Sequence, residues 1–127
     1  MKLLLDTCAL LWLAQGGGRL SESALSAIDR AAMVYVSAIS GFEVGLKYRQ
    51  GKLKLPSPPG FWFDAVTKHH QLSVIAIDLG VSVLASELPP FHRDPADRFI
   101  IATGMTHRLP VVTADPAFHD YDIDVLA

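Results

Sequence analysis

Short apolar runs alternate along this chain with segments in which apolar residues recur at helical spacing. The runs predict strands over residues 2–5, 33–36, 73–77, 110–113 and 123–126. The segments between them predict helices over 8–14, 39–50, 61–70, 78–88 and 95–108, and another that opens at Ser21-Glu22. Capping residues, prolines and glycines fall at the ends of these segments, which supports the division.

Short apolar strands that alternate with helices are typical of a parallel sheet covered on both faces. We therefore predict an α/β fold: one domain over residues 1–127, with a central, mainly parallel, twisted sheet of about five strands and helices on both faces. The length of 127 residues and the 50% hydrophobic fraction suffice for a full core. Neither an internal repeat nor a low-complexity tract divides the chain.

Composition then limits the classes of function. A net charge of −2 and a pI near 6.2 argue against a general nucleic-acid-coating protein, but not against an enzyme that grips nucleic acid locally through metal ions. The mean hydropathy of +0.31 is high for a small monomer and predicts a surface covered by another chain. Cys8 is the only cysteine, which excludes a disulfide or zinc framework, favours the reducing cytoplasm and leaves Cys8 as an expected small buried residue.

The first residues resemble a signal peptide, because Lys2 precedes a leucine-rich run. Asp6 interrupts that run and no clean cleavage site follows, so we do not expect secretion. No apolar run reaches the ~18 residues that a membrane-spanning helix needs. We expect no membrane association.

Four acidic residues are predicted to meet at one edge of the sheet. Asp6 and Asp115 each follow a predicted strand, whereas Glu43 and Asp97 lie in the first turns of predicted helices. In a parallel sheet with crossover helices, each helix begins beside the carboxyl ends of the strands, where sites form.

Each acid also has a purely structural explanation. Asp6 can cap a helix and Asp115 can start an Asp-Pro turn, while Glu43 and Asp97 can form capping boxes with Ser40 and Asp94, respectively. Together, however, two carboxylates about 5 Å apart repel by roughly 3 kcal/mol at an effective dielectric of 20. Protons or hard divalent cations must offset this repulsion, and an all-oxygen ligand set suits Mg²⁺ or Mn²⁺. Such ions catalyse phosphodiester hydrolysis.

The segments LLDT, FEVGLKYRQGKL, HRDPADRFIIATG and VVTADPAF carry these acids. Their sequence resembles the PIN-domain nucleases, specifically the VapC-type toxins of bacterial toxin–antitoxin pairs, over nearly the whole chain. The resemblance implies that Asp6, Glu43, Asp97 and Asp115 are the catalytic, metal-binding quartet and that Mg²⁺ or Mn²⁺ is the cofactor. It also implies an endoribonuclease acting on RNA such as tRNA, a cognate antitoxin and a homodimer.

Several further residues are candidates for supporting roles. Thr7, Ser37 and Thr113 could hold a ligand carboxylate or satisfy local backbone, and Arg98 could steady Asp97 or a phosphate. His92 and His107 could ligate a metal, although hard ions do not need them. The basic run of the helix that carries Glu43 is either a solvated face or a track for the RNA backbone, and it consists of Lys47, Arg49, Lys52 and Lys54. The aromatic residues are core candidates or part of a groove for an antitoxin helix, and they are Trp12, Phe61, Trp62 and Phe63.

Other functions fit the sequence less well. A phospho-receiver domain needs an acidic pair after its first strand and a lysine after its last core strand, where this chain has Asp6-Thr7 and Thr113-Ala114-Asp115. A haloacid-dehalogenase-type phosphatase needs an aspartate at the position of Cys8, and the glycines at 16–18 lack the Lys-Ser/Thr of a phosphate-binding loop. A non-catalytic interaction module whose acids are caps stays open. These residues do not distinguish RNA from DNA.

Overall fold

The computed structural model describes residues 1–127 and has five strands and six α-helices, with one 3-10 helix near the end. The strands are β1 Lys2–Leu5, β2 Met33–Ser37, β3 Leu72–Ile75, β4 Val111–Val112 and β5 Val125–Leu126. The α-helices are α1 Thr7–Ala14, α2 Glu22–Arg30, α3 Ala38–Arg49, α4 Pro59–His69, α5 Leu79–Glu87 and α6 Pro95–His107. The predicted elements are confirmed in order and type, but the 3-10 helix Pro116–Asp120 was not predicted.

All strand pairs are parallel, in the order β3-β2-β1-β4-β5. The chain builds outward from β1 to β3 and then returns to the other side of β1 for β4 and β5. Connections on the two sides of β1 therefore run in opposite directions, and a crevice opens outside the carboxyl ends of β1 and β4. This crevice positions the candidate site.

The sheet is covered on both faces, as predicted. Alternate residues of β1 point to opposite faces: Leu3 and Leu5 join one buried cluster with residues of α1 and α4, and Leu4 joins another with residues of α5 and α6. All three leucines are fully buried.

Residues with known capping preferences lie at the beginnings and ends of the helices, as the sequence predicts. Asp78 caps α5 by accepting a hydrogen bond from the backbone N–H of Val81 at 2.8 Å. Gly51, just past α3, has φ of +72°, a left-handed conformation that favours glycine. None of the helices combines the length and the apolar character required to cross a membrane.

Candidate functional site

Five carboxylates line one cavity of about 270 Å³ at the carboxyl edge of the sheet. One is that of Asp94, and the other four come from four parts of the chain. Asp6 follows β1 and Asp115 follows β4, the neighbouring strands at the crevice. Glu43 projects from α3 and Asp97 from the first turn of α6. The fold thus brings together the four acids that the sequence placed at this edge.

Asp6 is the most buried of the four, with 4% of its surface exposed. Its Oδ1 accepts a hydrogen bond from the backbone N–H of Ala9 at 2.7 Å, and its Oδ2 accepts one from the Thr113 hydroxyl at 2.6 Å. Burial raises the pKa of Asp6 even though both hydrogen bonds act to lower it. A carboxylate held so firmly in a buried position is stabilised when a cation lies beside it.

Glu43 has one oxygen without any partner. Its Oε2 lies 3.4 Å from Nζ of Lys47, one turn further along α3, whereas Oε1 is buried and makes no hydrogen bond. A buried, unpaired carboxylate oxygen costs free energy unless a cation or water satisfies it. A bound cation would therefore satisfy Oε1 of Glu43, which has no partner within the protein.

His92 joins the two remaining acids. Its Nε2 lies 3.0 Å from Oδ2 of Asp97 and 2.8 Å from Oδ2 of Asp115, and the three side chains offer atoms within 4.8 Å of one another. Burial, followed by repulsion from Asp94, raises the pKa of Asp97 from 3.8 to about 7. The sequence names His92 only as a residue that could ligate a metal, and its contact with both acids was not predicted.

The donor set fits a hard divalent cation. Carboxylates predominate among the metal-binding groups that line the cavity, and one of their oxygens is buried and unsatisfied. The softer groups are the Cys8 thiol in the cavity and the imidazole of His92 beside it. Mg²⁺ and Mn²⁺ prefer oxygen ligands. Asp6, Glu43, Asp97 and Asp115 are the residues that would hold the ion.

Capping explains part of the acidic cluster. Asp6 caps α1, Asp94 caps α6 by accepting a hydrogen bond from the N–H of Ala96, and Asp115 caps the 3-10 helix. Glu43 and Asp97, in contrast, form no capping box: their carboxylates contact Lys47 and His92 instead. Helix capping therefore does not account for the side chains that approach the cavity from α3 and α6.

The three hydroxyl candidates have different partners. Thr113 orients Asp6 and also accepts a hydrogen bond from the N–H of Asp115 at 3.1 Å, so it joins two of the acids. Thr7 lines the cavity and bonds to the hydroxyl of Ser40 at 2.8 Å. Ser37 caps α3 through the N–H of Ile39, which is the local backbone role.

Of the two roles predicted for Arg98, a direct contact with Asp97 is not found. The Arg98 guanidinium instead donates hydrogen bonds to four backbone carbonyls around the end of α5, those of Ala85, Leu88, Pro89 and His92. Consecutive helical residues are turned by about 100° from each other, so the side chains of Asp97 and Arg98 leave the helix in different directions.

Cys8 corrects a second expectation, because it is exposed and lines the acidic cavity instead of lying in the core. Among the aromatic residues, Trp12 also lines the cavity and Trp62 is buried, Phe63 is partly buried against the core, and Phe61 is exposed.

The four residues of the basic run lie in different surroundings. Lys47 lines the acidic cavity, Lys52 lines a neighbouring groove, and Arg49 and Lys54 are exposed without lining either. His107 lies exposed in the last turn of α6, at the opposite end of that helix from Asp97.

Residues 3–124 match the family model of the PIN domain. The chain belongs to the PIN-domain family. Within it, the chain is 35% identical over 113 residues to Ribonuclease VapC22 of Mycobacterium tuberculosis, covering 88% of this chain and 85% of that protein. The resemblance to VapC-type proteins found in the sequence is thus confirmed.

Solved structures share the fold. VapBC2 from Rickettsia felis, bound to a DNA fragment from its promoter, superposes with a TM-score of 0.71 at 14% identity, covering 99% of this chain and 98% of that one. A toxin–antitoxin complex from Klebsiella pneumoniae superposes with a TM-score of 0.68 at 20% identity, with 98% and 96% covered. The predicted α/β fold with a parallel sheet is confirmed.

Proposed function

We propose that this protein is a Mg²⁺- or Mn²⁺-dependent endoribonuclease and acts as the toxin of a toxin–antitoxin pair. The observation that carries the proposal is the convergence of Asp6, Glu43, Asp97 and Asp115 on one cavity, with Oε1 of Glu43 buried and unpaired. The 35% sequence identity to a ribonuclease, over 88% of this chain, supports RNA cleavage as the reaction.

In the proposed reaction, the protein positions the carboxylates that bind the ion and the lysine that meets the phosphate. A bound divalent ion supplies an activated water and stabilises the charge that develops on the phosphate and the leaving oxygen. Asp6 and Asp115 are fixed by hydrogen bonds to Thr113 and to the backbone, so their positions do not depend on the ion. Lys47, at the cavity beside Glu43, is the cation placed to meet a substrate phosphate.

We propose RNA as the substrate, with structured RNA such as tRNA as the class that the family suggests. Lys47, Arg49, Lys52 and Lys54 would follow its backbone away from the cavity, a local contact that a net charge of −2 permits. The cytoplasm is where such an RNA would be met, and a single cysteine suits that compartment.

Protein partners are the second part of the proposal. The Klebsiella and Rickettsia structures are named as toxin–antitoxin or VapBC assemblies, which suggests a cognate antitoxin for this chain. A homodimer is proposed as well. Phe42 and Leu46, 65% and 41% exposed, line an apolar groove of about 340 Å³ that adjoins the acidic cavity, and such surface is typical of a protein contact.

The reaction class is tested by incubating the purified protein with total cellular RNA in Mn²⁺ or in EDTA. Asp6→Asn and Asp64→Asn, purified in parallel, are the variants: Asp64 is exposed on α4 and outside the cavity, so it controls for contaminating nucleases. We expect discrete Mn²⁺-dependent cuts from the wild type and Asp64→Asn, and none from Asp6→Asn. Equal cutting by all three proteins, or cutting in EDTA, would contradict the proposal.

A further inference from the structure

The hydrogen bonds of His92 identify which of its two ring nitrogens carries the hydrogen. The backbone N–H of Asp94 donates to Nδ1 of His92 at 3.2 Å, so Nδ1 presents a lone pair and carries no hydrogen. In the neutral ring, the hydrogen must then be on Nε2. Nε2 is the atom that lies between Oδ2 of Asp97 and Oδ2 of Asp115, and it donates its hydrogen to that pair of oxygens.

The ring is held in this position from several sides. The backbone N–H of His92 donates to the Tyr121 hydroxyl at 2.8 Å, and that hydroxyl donates to the carbonyl of Pro89 at 2.6 Å. Arg98 donates to the carbonyl of His92 at 3.1 Å, and the ring of Phe118 packs edge to face with the imidazole at 5.6 Å between centroids. Only 12% of the His92 side chain is exposed, so the ring cannot turn without breaking this packing.

The donated hydrogen has a consequence for the acids. Two carboxylates that both approach a single N–H are held close to each other, against a repulsion of roughly 3 kcal/mol for charges about 5 Å apart. Oδ1 of Asp115 is already fixed by the N–H of Ala117, so the contact with His92 completes the orientation of that carboxylate. The remaining lone pairs of Asp97 and Asp115 are then aimed before any ion arrives.

We propose that His92 is a positioning residue: its Nε2–H holds Asp97 and Asp115 in the arrangement that binds the metal, and the ring itself does not ligate the ion. This inference rests on the metal binding in the proposed function and does not depend on RNA cleavage. It also gives Arg98 and Tyr121 a role, because both form hydrogen bonds with the His92 backbone and so fix the position of the ring.

The first test compares two variants of His92 by titration with Mn²⁺ in the absence of RNA, read by calorimetry. In His92→Gln the side-chain amide nitrogen can take the place of Nε2 and still donate, whereas His92→Leu removes the donor. Loss of an outer hydrogen-bond partner typically weakens metal binding 10- to 100-fold, so we expect that loss for His92→Leu and only a few-fold change for His92→Gln. His107→Gln, on an exposed histidine far from the cavity, should bind Mn²⁺ as the wild type does.

The second test needs no substitution and therefore holds even if His92→Leu does not fold. Nitrogen NMR of the histidine rings, with and without saturating Mg²⁺, should show Nε2 of His92 protonated and Nδ1 unprotonated in both states. Loss of the Nε2 hydrogen when Mg²⁺ binds would show that the ring is a ligand and overturn the proposal. Wild-type Mn²⁺ affinity in a folded His92→Leu would overturn it too. A protein that binds Mn²⁺ but cuts no RNA would refute the nuclease and leave this inference standing.

Discussion

Asp97→Asn should make the metal-free protein more stable at alkaline pH, although it removes a group from the proposed site. The pKa of Asp97 is raised from 3.8 to about 7, so the folded protein holds this proton more tightly than the unfolded chain does. The free energy of unfolding that this proton contributes is therefore fully present below about pH 4, and it is lost as the pH rises through about 7. At about 1.4 kcal/mol for each pH unit, the loss approaches 4 kcal/mol, and asparagine, which does not ionise, avoids it.

The assay is urea unfolding in EDTA at several pH values between 4 and 8.5, with Asp64→Asn as a matched substitution of an exposed acid. The difference between Asp97→Asn and the wild type should be small near pH 4 and grow to as much as about 4 kcal/mol in favour of the variant by pH 8. Subtracting the two curves removes contributions common to both proteins, such as those of titratable groups remote from the cavity. Adding Mn²⁺ should reverse the order, because the wild type gains more binding energy than the variant does. A difference that stays constant with pH, or a less stable variant at pH 8 in EDTA, would refute the reasoning.

Three further substitutions separate the roles of neighbouring residues. Thr113→Val removes the hydroxyl that donates to Asp6, and we expect a loss of about 1–3 kcal/mol in urea unfolding with Mn²⁺ affinity 10- to 100-fold lower by calorimetry. Asp94→Ala removes the cap on the N–H of Ala96 and should cost roughly 1 kcal/mol by the same unfolding assay. Arg98→Met leaves four carbonyls without their charged donor and should lower stability by more than about 2 kcal/mol, measured as a lower melting temperature. A melting temperature equal to that of the wild type would contradict this reading of Arg98.

The fold followed from the sequence because its signals are local and repeated. Short apolar runs such as that at Lys2–Leu5 are typical of buried parallel strands, and segments of helical spacing lie between them. The strand-to-helix order then leaves few topologies, since parallel crossovers have one hand. The 3-10 helix was missed because Pro116–Asp120 is only five residues long and has no periodic pattern to find.

The acids of the site were predictable for a related reason. A residue that directly follows a parallel strand, as Asp6 follows β1, must lie at the carboxyl edge. Its spatial neighbours are then set by the topology, even when they are distant in sequence, as Thr113 is.

The contacts of His92 and Arg98 could not be predicted in the same way. His92 lies in a loop, where nothing local fixes the direction of the ring; its position depends on Tyr121, 29 residues further along the chain. Arg98 was paired with Asp97 because the two are adjacent in sequence, whereas the helix turns the Asp97 carboxylate toward the His92 ring and the Arg98 guanidinium toward backbone carbonyls. Cys8 was assigned to the core from its residue type, yet its place beside Asp6 at the start of α1 exposes it at the cavity.

RNA cleavage by this protein should require a divalent ion bound to the carboxylates of the cavity. The most direct test measures Mn²⁺ occupancy and RNA cleavage in a single titration. Bound Mn²⁺ and the initial rate of cutting of an RNA substrate are followed in the same samples, with wild type and Glu43→Gln. The account predicts that the rate rises with occupancy in the wild type, and that both curves shift together to higher Mn²⁺ in the variant. A rate that is already maximal before Mn²⁺ binds, or that does not change in Glu43→Gln while binding weakens, would contradict it.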